Sequence, residues 1–86
     1  PDNSVVFRNL YAVYVMLDRP DDAAAAVQRA LEIRPDGPFY ANLGYIRYGQ
    51  ARYDDAARAF EKAVEASPSK YILWGNLGDA YRWTPG

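Results

Sequence analysis

A chain of 86 residues is one small domain at most, and chains this short bury a smaller fraction of their surface than longer ones do. Half of the residues are hydrophobic and 24% are charged, a balance that excludes disorder by composition. The net charge of -1 gives no electrostatic pull toward nucleic acid or an anionic membrane surface, and no apolar run approaches the ~20 residues of a membrane helix.

The chain opens Pro1-Asp2-Asn3-Ser4, without methionine or a signal peptide. It is expected to be an excised piece of a longer protein. Residues 1–3 form a polar lead-in and Ser4 is a candidate helix cap. Phe7, Leu10, Tyr11 and Tyr14 then follow helical spacing, which predicts a first helix to about Leu17. Asp18-Arg19 make a turn, and Pro20 falls at the first position of a second helix, where proline is tolerated. Asp21 and Asp22 complement the dipole of that helix, and it ends before Pro35. Asp36-Gly37-Pro38 is turn punctuation. A third helix carries Tyr40, Leu43, Gly44 and Arg47 and breaks between Gly49 and Arg52. The fourth, from Tyr53, buries Ala56, Phe60, Ala63 and Val64, and Pro68 stops it, biasing Ser67 away from helical geometry. After a turn at Ser67-Pro68-Ser69, a fifth helix carries Trp74, Leu77, Gly78 and Tyr81 and fades before Thr84-Pro85-Gly86. No stretch alternates as a half-buried strand does.

The chain repeats itself. Asp22, Ala23, Val27, Ala30 and Pro35 recur thirty-three residues on as Asp55, Ala56, Phe60, Ala63 and Pro68. Phe7-Arg8-Asn9-Leu10 recurs as Tyr40-Ala41-Asn42-Leu43 and again as Trp74-Gly75-Asn76-Leu77. Such periodicity marks a stack of repeats, in which each unit covers its neighbour's apolar face.

These residues resemble the tetratricopeptide repeat, a unit of about thirty-four residues with an aromatic-x-x-Leu-Gly-x-x-Tyr helix followed by an Ala-x-x-x-Phe-x-x-Ala…Pro helix. The second unit gives Tyr40, Leu43, Gly44, then Ala56, Phe60, Ala63 and Pro68. The first gives Phe7, Leu10, Tyr14, then Ala23, Val27, Ala30 and Pro35, and the last segment gives Trp74, Leu77, Gly78 and Tyr81. The resemblance covers residues 4–86. It implies an all-α, right-handed superhelical stack of antiparallel helix pairs, five helices in one array: repeat 4–36, repeat 37–70, and the first helix of a truncated third at 71–86. Arg47 departs from the usual tyrosine, Tyr11 from the usual glycine, and the turns at Asp18 and Ala51 lack a glycine. With Tyr11 in the small-residue slot, the first helix pair should stand further apart, or the ring should point past its partner.

There is no histidine and no cysteine, which removes the commonest general base, the soft metal ligands and the thiol nucleophile. Asp21/Asp22 and Asp54/Asp55 are paired carboxylates, but neighbours on a helix diverge by about 100 degrees and do not converge on one ion. They read as first-turn acids. Ser4, Ser67 and Ser69 have no base to activate them, and no phosphate-binding glycine loop occurs. No catalytic residue, metal or cofactor is expected.

What remains is surface. On the third helix a second stripe, Ala41, Tyr45 and Tyr48, is rotated by about 100 degrees from the packing stripe. Arg8, Ala12 and Val15 occupy the same positions on the first helix, and Gly75, Asp79 and Arg82 on the fifth. In the family resembled, first helices line a concave face that holds peptides. The resemblance therefore implies a protein- or peptide-binding scaffold whose groove candidates are Arg8, Ala12, Val15, Ala41, Asn42, Tyr45, Tyr48, Asp79 and Arg82. Tyr45 and Tyr48 would be rigid amphipathic anchors and the arginines would read carboxylates or carbonyls. The alternative for the two tyrosines is that they fill the seam between successive first helices with their hydroxyls wet. Asn9, Asn42 and Asn76 recur, either as a common bond to backbone or as a polar ladder. A branch of the family grips chaperone-tail carboxylates through five lysine, arginine and asparagine slots. Arg8 and Asn42 match two of them, Ala12, Ile72 and Asn76 do not supply the rest, and chaperone-tail binding is not expected.

Two other readings stand beside the scaffold. The fifth helix presents Trp74, Leu77, Tyr81 and Trp83 with no following helix to cover them, which invites homo-oligomers. The segment also resembles, loosely, arrays in bacterial signalling proteins, where it would be a regulatory spacer. Nucleic-acid partners and membrane insertion are not expected, and a cytoplasmic address is.

Overall fold

The computed structural model describes residues 3–84. Five helices follow one another: α1 Ser4–Met16, α2 Pro20–Ile33, α3 Gly37–Gly49, α4 Tyr53–Ala66 and α5 Tyr71–Trp83. Among the described residues there is no strand. The expected fading of the chain over Pro85 and Gly86, and the lead-in at Pro1 and Asp2, lie outside the described residues.

Each boundary has a local cause. Pro20 opens α2, where its missing N–H is not needed. Ser67 leaves helical geometry at φ -140° and ψ 67°, as a residue before proline tends to do. Two expectations are corrected. Asn3, and not Ser4, takes the cap position of α1, and Ser4 is the buried first helical residue. Asp36-Gly37-Pro38 is a helix start and not a free turn. Asp36 is the cap, its Oδ1 accepting from the Phe39 N–H at 3.2 Å, and Gly37 and Pro38 begin α3. The two turns that lack a glycine keep the conformation a glycine would serve, since Asp18 has φ 56° and Ala51 has φ 60°. Both are left-handed, which an L-residue adopts at a cost of about 1–2 kcal/mol.

Helices pack in order: α1 on α2, α2 on α3, α3 on α4, α4 on α5. Burial concentrates on the second helix of each pair. Ala23, Ala24, Val27 and Ala30 of α2 form one core with Phe39 and Ile46 of α3, with Phe7, Tyr11 and Tyr14 of α1 closing the other side. Ala56, Ala57, Phe60, Ala63 and Val64 of α4 form the second core with Ala41 of α3 and Leu73, Leu77 and Ala80 of α5. Alanine makes this close sandwiching feasible, because its small side chain lets helices on both sides approach. The molecule is an all-helical solenoid in which α2 and α4 are each clasped between two first helices.

The two pairs solve the central contact differently. A Cβ on Gly44 would lie 2.6 Å from the Phe60 ring, so the α3–α4 contact is glycine against phenylalanine. In the first pair the same register holds Tyr11 and Val27, large and small exchanged; Tyr11 packs, half-buried, against the core that contains Val27. The successive hairpins are also tied by a polar relay. Arg47 donates to Gln50 Oε1 at 3.0 Å, and Gln50 Nε2 donates to Asp21 Oδ1 at 2.8 Å, linking the end of α3 to the start of α2.

Candidate functional site

With α2 and α4 occupied on both sides, α1, α3 and α5 are left with a common inner face. Its centre is Tyr45. The ring packs edge-on against Phe60, centroids 5.5 Å apart, which fixes its direction. Its hydroxyl accepts from Asn76 Nδ2 of α5 at 2.9 Å, and on the other side Tyr45 lies close enough to Tyr11 of α1 to help raise that phenol's pKa. Burial is the larger cause of the Tyr11 shift. Tyr45 nonetheless remains 44% exposed.

Three recesses meet at this residue. One of about 240 Å³ lies between α1 and α3, walled by Val15, Ala23, Ile46 and Gly49, with Tyr11 and Tyr45 beside it and Asp18 at its rim. A second, about 190 Å³, runs between Asn42 of α3 and Ile72 of α5, with Lys70 at one end and Ala41 beneath. A third, about 100 Å³, is bounded by Tyr45, Tyr48, Phe60, Asn76 and Asp79. All three share Tyr45 and set amide, hydroxyl and carboxylate groups among apolar walls.

The residues singled out from sequence are distributed unevenly over this face. Val15, Asn42, Tyr45, Tyr48 and Asp79 line recesses. Ala41 is buried in the second core and reaches only the floor of one recess. Tyr48 is half-buried, edge-on to Tyr53 of α4 at 5.2 Å, and so packs within its own helix pair as well as reaching the surface. Arg8 and Ala12 are exposed on α1 and line none of the recesses described; Arg8 makes no ion pair with another described residue. Arg82 stands 3.9 Å from Asp79, a long and exposed ion pair of the kind that contributes little. Of the recurring asparagines, Asn76 makes the cross-helix bond to Tyr45.

Tyr11, Ile46, Gly49, Lys70 and Ile72 were not among the sequence candidates. Tyr11 carried a readable signal, since an aromatic in a slot kept for glycine reaches further than the slot; it packs half-buried against the first core and also borders the recess. Lys70 sits in a turn, where no periodicity points.

The apolar patch on α5 needs one correction. Leu77 is buried against α4, not exposed with its neighbours. Trp74 and Tyr81 are each 50% exposed, and Trp74 Nε1 donates to the Pro68 carbonyl at 2.9 Å. Nothing lies within 4 Å of a Cβ on Gly78, the α5 counterpart of Gly44. The first-turn acids have local partners: Asp22 pairs with Arg19 at 2.6 Å, and Asp55 is held by Arg52 at 2.6 Å and Arg58 at 2.7 Å. Among the described residues no helix is long and apolar enough to cross a membrane.

Consecutive helix pairs with a shared apolar spine and an open inner face define a helical-repeat protein. Comparison with known proteins supplies the family: residues 42–82 match the tetratricopeptide repeat, and the chain carries this repeat. It is 32% identical over 85% of its length to a small glutamine-rich tetratricopeptide repeat-containing protein 2 of Mycosarcoma maydis, of which it spans 21%. It is 33% identical over 93% of its length to an Hsp70-Hsp90 organizing protein of Triticum aestivum, of which it spans 14%. A STIP1 homolog of Dictyostelium discoideum is 29% identical over the whole chain, which spans 15% of it. The chain thus corresponds to a small part of each of these relatives.

Proposed function

We propose that the inner face of α1, α3 and α5 holds an extended segment of a partner protein, in an array of one repeat at 4–36, a second at 37–70 and the first helix of a third at 71–86. The observation that carries this reading is Tyr45: an aromatic fixed by Phe60 and Asn76, still 44% exposed, at the junction of three recesses. A preorganised aromatic with apolar hollows on each side suits alternate side chains of a peptide; Asn42 and Asp79 line the hollows for polar contacts, and Arg8 lies outside them on α1. The chain acts by binding and not by chemistry. The likeness to an Hsp70-Hsp90 organizing protein supports a protein partner in general. It does not carry that protein's partners over, since Ala12 and Ile72 cannot supply a cation.

The test is selection from a random peptide library, followed by mapping of binders through amide shifts. Binders should perturb Asn42, Tyr45 and Asp79. Ala12→Trp, which adds bulk at an exposed inner-face position, should weaken them by about tenfold, or 1.4 kcal/mol, with melting unchanged. Binders that map to the outer surfaces of α2 and α4 would sink the reading.

A second reading rests on Trp74, Tyr81 and the open space at Gly78: two copies pair through this face of α5. Sedimentation equilibrium should then show a dimer that Trp74→Lys dissociates. A clean monomer at high concentration ends this reading.

A further inference from the structure

The three first helices end at one register position on three different residues, Met16, Gly49 and Trp83. Gly49 and Trp83 therefore occupy equivalent places in successive helix interfaces. Where the end of α5 meets the α3–α4 turn and the start of α4, the Trp83 ring lies 6.2 Å from Tyr53, tilted by 32°, beside Ala51 and Arg52. In the α1–α3 interface the counterparts of those three residues, Asp18, Arg19 and Pro20, border the 240 Å³ recess together with Gly49. A Cβ on Gly49 meets nothing within 4 Å. One turn carries a half-exposed indole beside it; the other presents the same three turn positions with a glycine in place of the tryptophan and a recess alongside.

We propose that this recess is a tryptophan subsite, taking the indole of a partner peptide where Trp83 supplies one from the chain itself a repeat further on. Val15 and Ile46 offer apolar walls, and Pro20 offers a flat face where the second interface has Tyr53. Asp18 at the rim makes no ion pair with another described residue, so its carboxylate is available to accept the indole N–H, the single donor of that ring. A leucine or phenylalanine has no such donor, and a smaller side chain leaves apolar volume unfilled, forfeiting contacts. The peptide comes from the reading above; the slot itself stands on the comparison of the two interfaces.

The probe is N-acetyl-tryptophan amide, titrated into the 15N-labelled 86-residue chain. Saturable shifts should cluster at the amides of Val15, Ile46 and Gly49, and N-acetyl-leucine amide should bind several-fold more weakly. Gly49→Trp should abolish these shifts with the helical circular dichroism retained. Trp83→Gly should open the second slot and add shifts around Tyr53 and Ala80. Shifts that survive Gly49→Trp, that match those of the leucine probe, or that scatter over α2 and α4 overturn the proposal. So does a concentration dependence of the same amides without probe, which would mean that another copy's tryptophan enters. Library peptides whose binding ignores Gly49→Trp would sink the subsite and leave the groove standing; probe binding in a chain that takes no peptide would do the reverse.

Discussion

Gly44→Ala is the sharpest test of how the repeats pack. The new methyl would lie 2.6, 2.7 and 2.8 Å from three carbons of the Phe60 ring. That ring is only 1% exposed and is packed in the core between α4 and α5, so it can shift only toward the small recess it shares with Tyr45. Overpacking of this kind costs about 1–3 kcal/mol, against a gain of about 0.5–1 kcal/mol for replacing glycine inside a helix. The net loss lies between about zero and about 2.5 kcal/mol, and for a domain of this size each kcal/mol lowers the midpoint by roughly 4–8 °C. Gly78→Ala is the matched control, because nothing lies within 4 Å of its Cβ; it should stabilise by about 0.5–1 kcal/mol. The assay is thermal and urea unfolding followed by circular dichroism, extended to a double-mutant cycle. In a Phe60→Val background, which imitates the smaller side chain of the first repeat, the Gly44→Ala penalty should disappear. If Gly44→Ala and Gly78→Ala have the same sign, steric contact with Phe60 is not what keeps position 44 small.

Three further outcomes follow from local geometry. Ala51→Gly should stabilise by about 1 kcal/mol by relieving the left-handed φ of 60°, and Asp18→Gly by less, because aspartate tolerates that region better; urea midpoints report both. Asp36→Ala removes the acceptor for the Phe39 N–H and should cost about 1 kcal/mol, the usual loss for a capping side chain. The Arg58 and Arg52 contacts hold the Asp55 carboxyl below its usual range, against a smaller opposing effect of burial. The folded chain therefore favours the charged form, so this stabilisation is full at neutral pH and fades as pH falls below about 4. Melting curves of the parent chain and Asp55→Asn should differ at pH 7 and converge in strong acid.

The helices and their pairing were legible because each rests on local signals: Pro20, Pro35 and Pro68 as punctuation, and alanines at helical spacing for α2 and α4. The end of a helix was harder where one residue can play two parts. Asp36-Gly37-Pro38 suits a turn and a capped helix start equally, and only the placement of the Asp36 carboxylate against Phe39 decides. The inner face was half legible. Tyr45 stood out by periodicity, but its settings, Tyr11 on one side and Asn76 on the other, come from helices that are not consecutive; the Asn76 bond spans 31 residues. Leu77 shows the opposite error, since it shares a helix with Trp74 and Tyr81 yet faces α4. An uncovered helix does not expose every apolar residue it carries. The Arg47–Gln50–Asp21 relay carries no pattern in the sequence at all.

The exchange of large and small partners between the two helix pairs has a consequence for how this chain assembles. Related segments are at risk of pairing wrongly while folding, α1 taking α4 as its hairpin partner, or α3 taking α2 in the hairpin register it natively shares with α4. The first error would set Tyr11 against Phe60, two rings competing for space sized for one; the second would set Gly44 against Val27 and leave a void. Each mispaired hairpin is thus either too full or too empty, and the exchange of Tyr11 and Val27 for Gly44 and Phe60 favours the proper order of the two units.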